Sequence, residues 1–428
     1  MTEPVVLTRE LLRELPKTDL HLHLDGSMRL ATLIDLARAY RVPLPSETEQ
    51  GLKECVFKDS YADLGEYLAG FRYTAAVLQS ESALERVAYE LAEDNQAEGV
   101  RYIEVRFAPQ LHIHTHMDAT AVLRAVNRGL HRARDDFNRR PEVLSGVEPP
   151  FEYGIIVCAL RMFESHYSEY YGDLLRVHRY AQPRRAFALA SLELAEAAVR
   201  IRDELGIPIV GFDLAGEELG YPAEDHQEAY HWVHKNFLKK TVHAGEAYGP
   251  ESIFQAITDL HADRIGHGFY LMDASMIRDP AIKDRQRYID ALVQYIADRR
   301  ITVEVCLTSN MQTNPAIGNL SNHALRNMRD VGLSVTICTD NRLVSNTTVT
   351  RELELATQFI DDGYHLKQVI IYGFKRSFFP GSYLRKRKYV RRIIDYYEQV
   401  EEKHRRLQGE AGATPVPVSS KSSRGLEG

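Results

Sequence analysis

The sequence predicts a closed (β/α)8 barrel, an α/β fold of the TIM-barrel type with additional helices. Three observations support this fold class. The chain of 428 residues is long enough for one large barrel, strand-like apolar runs alternate with helix-like periodicity, and polar residues gather where the predicted strands end. We therefore expect one barrel domain over residues 1–405 and a disordered tail over residues 406–428, where Gly, Ser and Pro are frequent.

The predicted elements begin with a strand at Leu20–Gly26, followed by a helix over Leu30–Tyr40. The next clear helix contains Leu84–Leu91 and ends near Gly99, a residue suited to the left-handed conformation. Seven further strands are predicted at Arg101–Phe107, Glu152–Leu160, Ile209–Leu214, Thr241–His243, Arg264–Gly268, Ile301–Leu307 and Ser334–Cys338. Helices are predicted between and after them at Asp118–Phe137, Leu192–Leu205, Ser252–Leu260, Ile289–Ala297, Leu325–Val331, Glu352–Phe359 and Tyr389–Leu407.

The composition is that of an ordinary globular enzyme, with 44% hydrophobic and 26% charged residues. A net charge of -7 argues against a general affinity for nucleic acid. Four cysteines without a C-x-x-C pair, and charges that interrupt the first apolar residues, favour a reducing, cytoplasmic location. No stretch approaches the about 20 apolar residues of a membrane span. We expect neither a nucleic acid nor a membrane as partner, and the sequence leaves the oligomeric state open.

Polar side chains at the predicted strand ends suggest a metal site. His21 and His23 share one face of the first strand because side chains alternate along a strand. His243 ends the fifth strand and Asp340 follows the eighth. Three imidazoles and one carboxylate suit Zn²⁺ with a position left for water, whose pKa the ion lowers to about 7. Taken singly, His243 could be a packed histidine and Asp340 a helix cap.

Two further residues at this rim are candidates for proton transfer. Glu246 lies three residues beyond His243, after a glycine that lets the backbone turn, and could serve as a general acid. His267, between two glycines, could accept a proton from the water or orient it. Their alternative roles are a helix N-terminal charge for Glu246 and a loop hydrogen bond for His267. We expect Glu246, His267 and Asp340 to be the catalytic residues.

A rival histidine cluster is formed by His112, His114 and His116. These residues follow the strand-breaking Pro109 and have no carboxylate nearby in sequence, so we expect a surface loop. The pair His226 and Glu228 matches H-x-E, but no P-C-x-x-C follows, which argues against a cytidine-deaminase type of zinc site.

An ordered set of motifs identifies a family resemblance. The motifs are Thr18-Asp19-Leu20-His21-Leu22-His23-Leu24-Asp25-Gly26-Ser27, Glu104-Val105-Arg106-Phe107-Ala108-Pro109, Asp213-Leu214-Ala215-Gly216-Glu217, His243-Ala244-Gly245-Glu246, Arg264-Ile265-Gly266-His267-Gly268 and Thr339-Asp340. In this order, over about residues 7–380, the chain resembles the adenosine deaminase family of the metal-dependent amidohydrolases. The resemblance implies zinc-dependent hydrolytic deamination of a 6-aminopurine nucleoside, with adenosine or 2′-deoxyadenosine as the first choice of substrate and inosine or 2′-deoxyinosine plus ammonia as products.

The resemblance also implies roles for single residues. In the family, the positions matching His21, His23, His243 and Asp340 hold one Zn²⁺, the position matching Glu246 protonates purine N1, and the position matching His267 assists the water. The position matching Gly216 binds the ring through its backbone. Those matching His23 and Asp25 lie near the ribose.

One position departs from the family pattern. Where the family usually has two aspartates, this chain has Asp340-Asn341. The second aspartate faces purine N7 in the family and must be protonated to donate to it, whereas the Asn341 amide donates at any pH. We expect Asn341 to contact the ring with an altered base preference. Adenine, a modified aminopurine nucleoside, another amide or ester substrate, and a catalytically silent nucleoside-binding protein remain alternatives.

Overall fold

The eight predicted strands form one parallel sheet whose order is the order of the sequence. A computed structural model describes residues 5–360 and 362–411 of the chain. The strands are β1 Lys17–His23, β2 Val100–Phe107, β3 Glu152–Leu160, β4 Ile209–Ala215, β5 Lys239–Ala244, β6 Arg264–His267, β7 Thr302–Val305 and β8 Val335–Ile337. Two backbone hydrogen bonds join β1 to Asp340, just beyond β8. The His23 N–H donates to the Asp340 carbonyl, and the Asp340 N–H donates to the His21 carbonyl, each over 2.8 Å. The predicted barrel is confirmed.

Helices connect and cover the strands. They are α1 Arg9–Glu14, α2 Leu30–Tyr40, α3 Glu49–Cys55, α4 Leu64–Leu68, α5 Phe71–Val77, α6 Glu81–Ala97, α7 Ala119–Asn138, α8 Pro141–Leu144, α9 Glu169–Val177, α10 Pro183–Leu205, α11 Gln227–Lys235, α12 Pro250–Thr258, α13 Arg285–Arg299, α14 Leu307–Thr313, α15 Leu325–Asp330, α16 Val349–Ala356, α17 Gly363–Arg376 and α18 Tyr383–Ala411. None of these helices, within residues 5–360 and 362–411, combines the length and apolar character needed to cross a bilayer.

Three expected boundaries need correction. β1 ends at His23 instead of continuing to Gly26. β7 ends at Val305, because the buried Glu352 carboxylate accepts the Thr308 N–H at 3.1 Å and starts α14 there. Residues 406–411 continue α18 and do not begin the expected disordered tail. An ion pair between Arg406 and Glu402, one helical turn earlier, measures 2.9 Å and stabilises this last stretch of the helix. Residues 412–428 lie outside the described residues.

The middle of the barrel contains a network of buried ion pairs. Arg106 on β2 contacts Asp213 at 2.8 Å and Glu304 at 2.9 Å. Arg264 on β6 contacts the other oxygen of Glu304 at 2.6 Å and also pairs with Glu104. All five side chains are at most 1% exposed. Asp213, Glu304 and Glu104 are therefore each paired with an arginine, below the rim where the strands end.

Candidate active site

The four predicted metal ligands converge at the carboxyl rim of the barrel. Nε2 of His243, on β5, lies 3.0 Å from Nε2 of His21 and 3.1 Å from Nε2 of His23, both on β1. Asp340 Oδ1 lies 3.4 Å from the His21 nitrogen and 3.5 Å from the His23 nitrogen. One donor atom from each residue thus lies within 4.8 Å of all the others.

Carboxylates of the buried ion-pair network orient two of these imidazoles. Glu304 Oε2 accepts from His21 Nδ1 at 2.8 Å, and Asp213 Oδ2 lies 3.1 Å from His243 Nδ1. With a proton held on Nδ1, each ring presents the lone pair of Nε2 to the site. This arrangement is typical of metal-binding histidines.

Asp340 is held in place by backbone and side-chain contacts. Its φ of +62° lies in the left-handed region, where a non-glycine residue is strained and is often found at a functional site. Ser309 on α14 donates to its Oδ2 at 2.7 Å, which leaves Oδ1 facing the histidines. The resulting donor set, three imidazole nitrogens and one carboxylate oxygen, fits a borderline divalent cation.

Glu246 lies in the loop that follows β5 and is 6% exposed. Its Oε1 is 3.7 Å from Nε2 of His267, the last residue of β6. Burial, and then the negative charges of Asp340 and Glu218, raise the pKa of Glu246 well above its usual range, although Arg161 opposes this. A carboxyl group in these surroundings keeps its proton near neutral pH and can donate it.

A chain of hydrogen bonds determines which nitrogen of His267 carries the proton. The Leu325 N–H, a fixed donor, points to His323 Nδ1 at 3.0 Å, so the proton of neutral His323 lies on Nε2. His323 Nε2 then donates to Asn310 Oδ1 at 3.3 Å, and Asn310 Nδ2 donates to His267 Nδ1 at 3.1 Å. Burial lowers the pKa of His323 to about 4 and that of His267 well below its usual range. His267 is therefore neutral with its hydrogen on Nε2, which has no partner among the described residues.

The expected substrate-contacting residues surround this centre. Asp25, just beyond β1, is buried, and its Oδ1 has no hydrogen-bond partner in the described part of the chain. Gly216 follows β4 with a φ of +95°, a conformation that glycine adopts without strain. Asn341 donates from Nδ2 to the Tyr67 hydroxyl at 2.8 Å, and its Oδ1 lies against Gly26, where a Cβ atom would be only 1.8 Å away.

Several residues that complete the site carried little signal in the sequence. Tyr67 lies on the short helix α4, and His323 precedes α15, far in sequence from any motif. Glu304 could have been found, because an ionisable side chain in the middle of a predicted buried strand requires a partner.

The rival histidine cluster does not converge. His112 is fully buried, so the expectation that it lies on a surface loop is wrong for this residue. It packs near the Phe107 ring, with centroids 6.1 Å apart, because the turn after Pro109 directs it inward. His114 Nε2 instead contacts the Gln79 carbonyl at 3.3 Å.

Comparison with known proteins identifies related sequences and structures. The family model described as adenosine deaminase matches residues 16–396. Adenosine deaminase 1 of Streptomyces coelicolor is 34% identical over 379 residues, which cover 86% of this chain and 84% of that protein. A zinc-bound amidohydrolase structure from Burkholderia ambifaria has a TM-score of 0.71 at 18% identity, covering 94% of this chain and 98% of its own. An adenine deaminase structure from Arthrobacter aurescens has a TM-score of 0.70 at 22% identity, covering 90% and 99%. The chain belongs to the adenosine deaminase family.

Proposed function

We propose that this protein is a zinc-dependent hydrolase that converts adenosine or 2′-deoxyadenosine to inosine or 2′-deoxyinosine and ammonia. The observation that carries this proposal is the buried Glu246 carboxyl, 3.7 Å from His267 and beside a cluster of three imidazole nitrogens and one carboxylate. Relatives named adenosine deaminase, at 34% identity over most of the chain, support the choice of substrate class.

The chain would hold one Zn²⁺ through His21, His23, His243 and Asp340. When bound, the ion would supply Lewis-acid activation of water. Glu246 would donate its proton to purine N1, which makes C6 more electrophilic as the water oxygen adds there. Of the two protons of the water, one would leave with the 6-amino group as ammonia and the other would restore the Glu246 carboxyl, so that the product keeps N1–H and C6=O. A donor must be protonated before the reaction begins, and the burial of Glu246 provides this.

Between the two roles left open for His267, the hydrogen-bond chain favours orientation. Its Nε2 carries the hydrogen, so it can donate to the oxygen of the attacking water but cannot take a proton from it. Asp25 and His23 would lie near the ribose, the Gly216 backbone near the purine, and the Asn341 amide near N7. A cytoplasmic location remains a prediction from the cysteine pattern.

A panel of aminopurines tests this proposal. Purified protein is incubated with adenosine, 2′-deoxyadenosine, adenine and an N6-methylated nucleoside, and deamination is followed by ultraviolet absorbance and ammonia release. We expect the two nucleosides to be turned over, a chelator to abolish the activity, and Zn²⁺ to restore it. Turnover of adenine alone would mean that the substrate is the free base and not a nucleoside. Binding of adenosine without any turnover by the metal-loaded protein would show a silent binding protein.

A further inference from the structure

Glu218 is a buried carboxylate at the same rim, three residues beyond the end of β4. It is 4% exposed and receives five hydrogen bonds. Its Oε1 accepts from Gly245 N–H at 2.7 Å and from the Ser252 hydroxyl. Its Oε2 accepts from the N–H groups of the next three residues, Glu246, Ala247 and Tyr248, at 3.0, 2.7 and 2.9 Å.

Four consecutive backbone N–H groups therefore point at one side chain. Such a run of N–H groups forms a concave anion-binding nest, and here a carboxylate of the chain itself fills it. The run begins at Gly245, whose φ is +73° and whose missing Cβ would lie 2.6 Å from Ile253. The loop 245–248 lies in neither a helix nor a strand. Tyr270 N–H donates to the Gly245 carbonyl at 2.9 Å, and the four N–H groups of the loop are held by Glu218.

We propose that Glu218 is a positioning residue that holds the backbone of Glu246 so that its carboxyl group faces the reacting purine ring. This inference rests on the proposed function, in which Glu246 is the proton donor. Glu218 itself does not touch the substrate. Charge-assisted bonds to backbone N–H groups are stronger than neutral ones, and a proton donor displaced by about 1 Å can lose about 10²-fold in rate.

A second arrangement stabilises the same region. The buried Arg161, at the end of β3, donates to the His243 carbonyl at 2.6 Å and to the Tyr221 carbonyl at 2.7 Å. It thereby ties the segment that carries Glu218 to the end of β5. Residues 243–248 are thus held by Arg161 at His243 and by Glu218 at 245–248, and removal of Glu218 would release the half that carries Glu246.

A purely structural role must be distinguished from positioning, because Glu218 also contacts Ser252 in the first turn of α12. The matched control is Glu217→Gln, the same substitution at the adjacent, exposed glutamate. Ser252→Ala is the second control, since it removes one bond to Glu218 and leaves the four backbone bonds in place.

The experiment compares Glu218→Gln with both controls in the full-length, zinc-loaded enzyme. Steady-state kinetics give kcat and KM on the best substrate, and hydrogen exchange with mass spectrometry follows the amides of residues 245–248. We expect Glu218→Gln to lower kcat by about 10²-fold while KM changes less than about threefold. The amides of 245–248 should exchange faster, those of β5 and β6 should keep their protection, and both controls should resemble the wild type.

A normal kcat in Glu218→Gln, or unchanged exchange at 245–248, would overturn the positioning role. Faster exchange across the whole barrel would also overturn it, since the effect would then be general destabilisation. If Glu218→Gln does not fold, Glu218→Asp keeps the charge but is one methylene shorter, and it should show the same local exchange with a smaller loss of kcat. Wild-type protein that turns over none of the aminopurines would defeat the proposed function instead.

Discussion

The middle of the barrel and its carboxyl rim differ in how their buried polar groups are paired. In the middle, the three carboxylates of Glu104, Glu304 and Asp213 each meet Arg106 or Arg264. At the rim, His267 Nε2 and Asp25 Oδ1 have no partner among the described residues, and the three imidazole nitrogens of the metal cluster face one another.

This difference separates stability from function within one barrel. Breaking a pair in the middle leaves an uncompensated buried charge, which is costly. Under the proposed function, a ligand would supply the partners of the rim groups, and unpaired buried groups of this kind lower the stability of the free protein. Substitutions in the middle should therefore lower stability, whereas substitutions at the rim should lower activity without lowering stability.

The largest effect is expected at the rim. Glu246→Gln removes the proton of the carboxyl group but keeps its shape, so kcat/KM for adenosine should fall by about 10²- to 10⁴-fold. The thermal midpoint should not fall, because burial already disfavours the charged carboxylate. Steady-state absorbance assays and thermal unfolding measure the two quantities. Activity within tenfold of the wild type would show that Glu246 is not the proton donor.

In the middle, Glu304→Gln should lower the free energy of unfolding by about 3 kcal/mol, because two arginines lose a charged partner. Urea unfolding in the presence of a chelator measures this without a contribution from bound metal. The control is Glu204→Gln, which removes an exposed pair with Arg200 and should change stability by less than about 0.5 kcal/mol. If Glu304→Gln and Glu204→Gln lowered the free energy of unfolding equally, the middle of the barrel would not be the stabilising level.

The Glu304→Gln substitution also gives a pH test. Burial raises the pKa of Glu304, but Arg106, Arg264 and His21 together hold it well below its usual value of 4.5. The unfolded chain therefore binds this proton more readily than the folded chain, and the stabilisation is fully present above pH 4.5 and decreases as the pH falls further. The difference between wild type and Glu304→Gln should thus shrink below that pH. A difference that grows on acidification would contradict the assigned ionisation.

The smallest effect is expected for Asn341→Asp. A carboxylate would accept from the Tyr67 hydroxyl instead of donating to it, and at neutral pH it would offer no donor to purine N7. We expect kcat/KM to change by less than about tenfold, and by different factors for adenosine, 2′-deoxyadenosine and adenine. Asn346→Asp, at an exposed position on the same loop, is the control. Unchanged kcat/KM on every purine would argue against the ring contact.

The sequence predicted the barrel and the convergence of His21, His23, His243 and Asp340 because both depend on local patterns. Strand and helix periodicity gave the eight-fold alternation, and the two-residue spacing of His21 and His23 put both side chains on one face of β1. His243 and Asp340 were placed at strand ends, which meet at one rim in any parallel barrel.

The remaining features depend on register and on long-range contacts. Which arginine meets Glu304 is set by the stagger of the strands around the barrel, and no local pattern encodes it. The backbone partners of Glu218 lie 27 to 30 residues away in a loop without periodicity. The burial of His112 follows from a single turn, and the early end of β7 follows from the distant Glu352.

The seam of the barrel has a consequence for biosynthesis. The last strand joins the first through Asp340, and Thr339 donates its N–H to Asp19, 320 residues earlier in the chain. Two of the residues proposed to bind the metal, His21 and His23, emerge early in synthesis, and the fourth, Asp340, emerges more than 300 residues later. Such non-local pairing is slow to form. The four-residue cluster therefore assembles only after Asp340 has left the ribosome, so metal uptake would report that the barrel has closed.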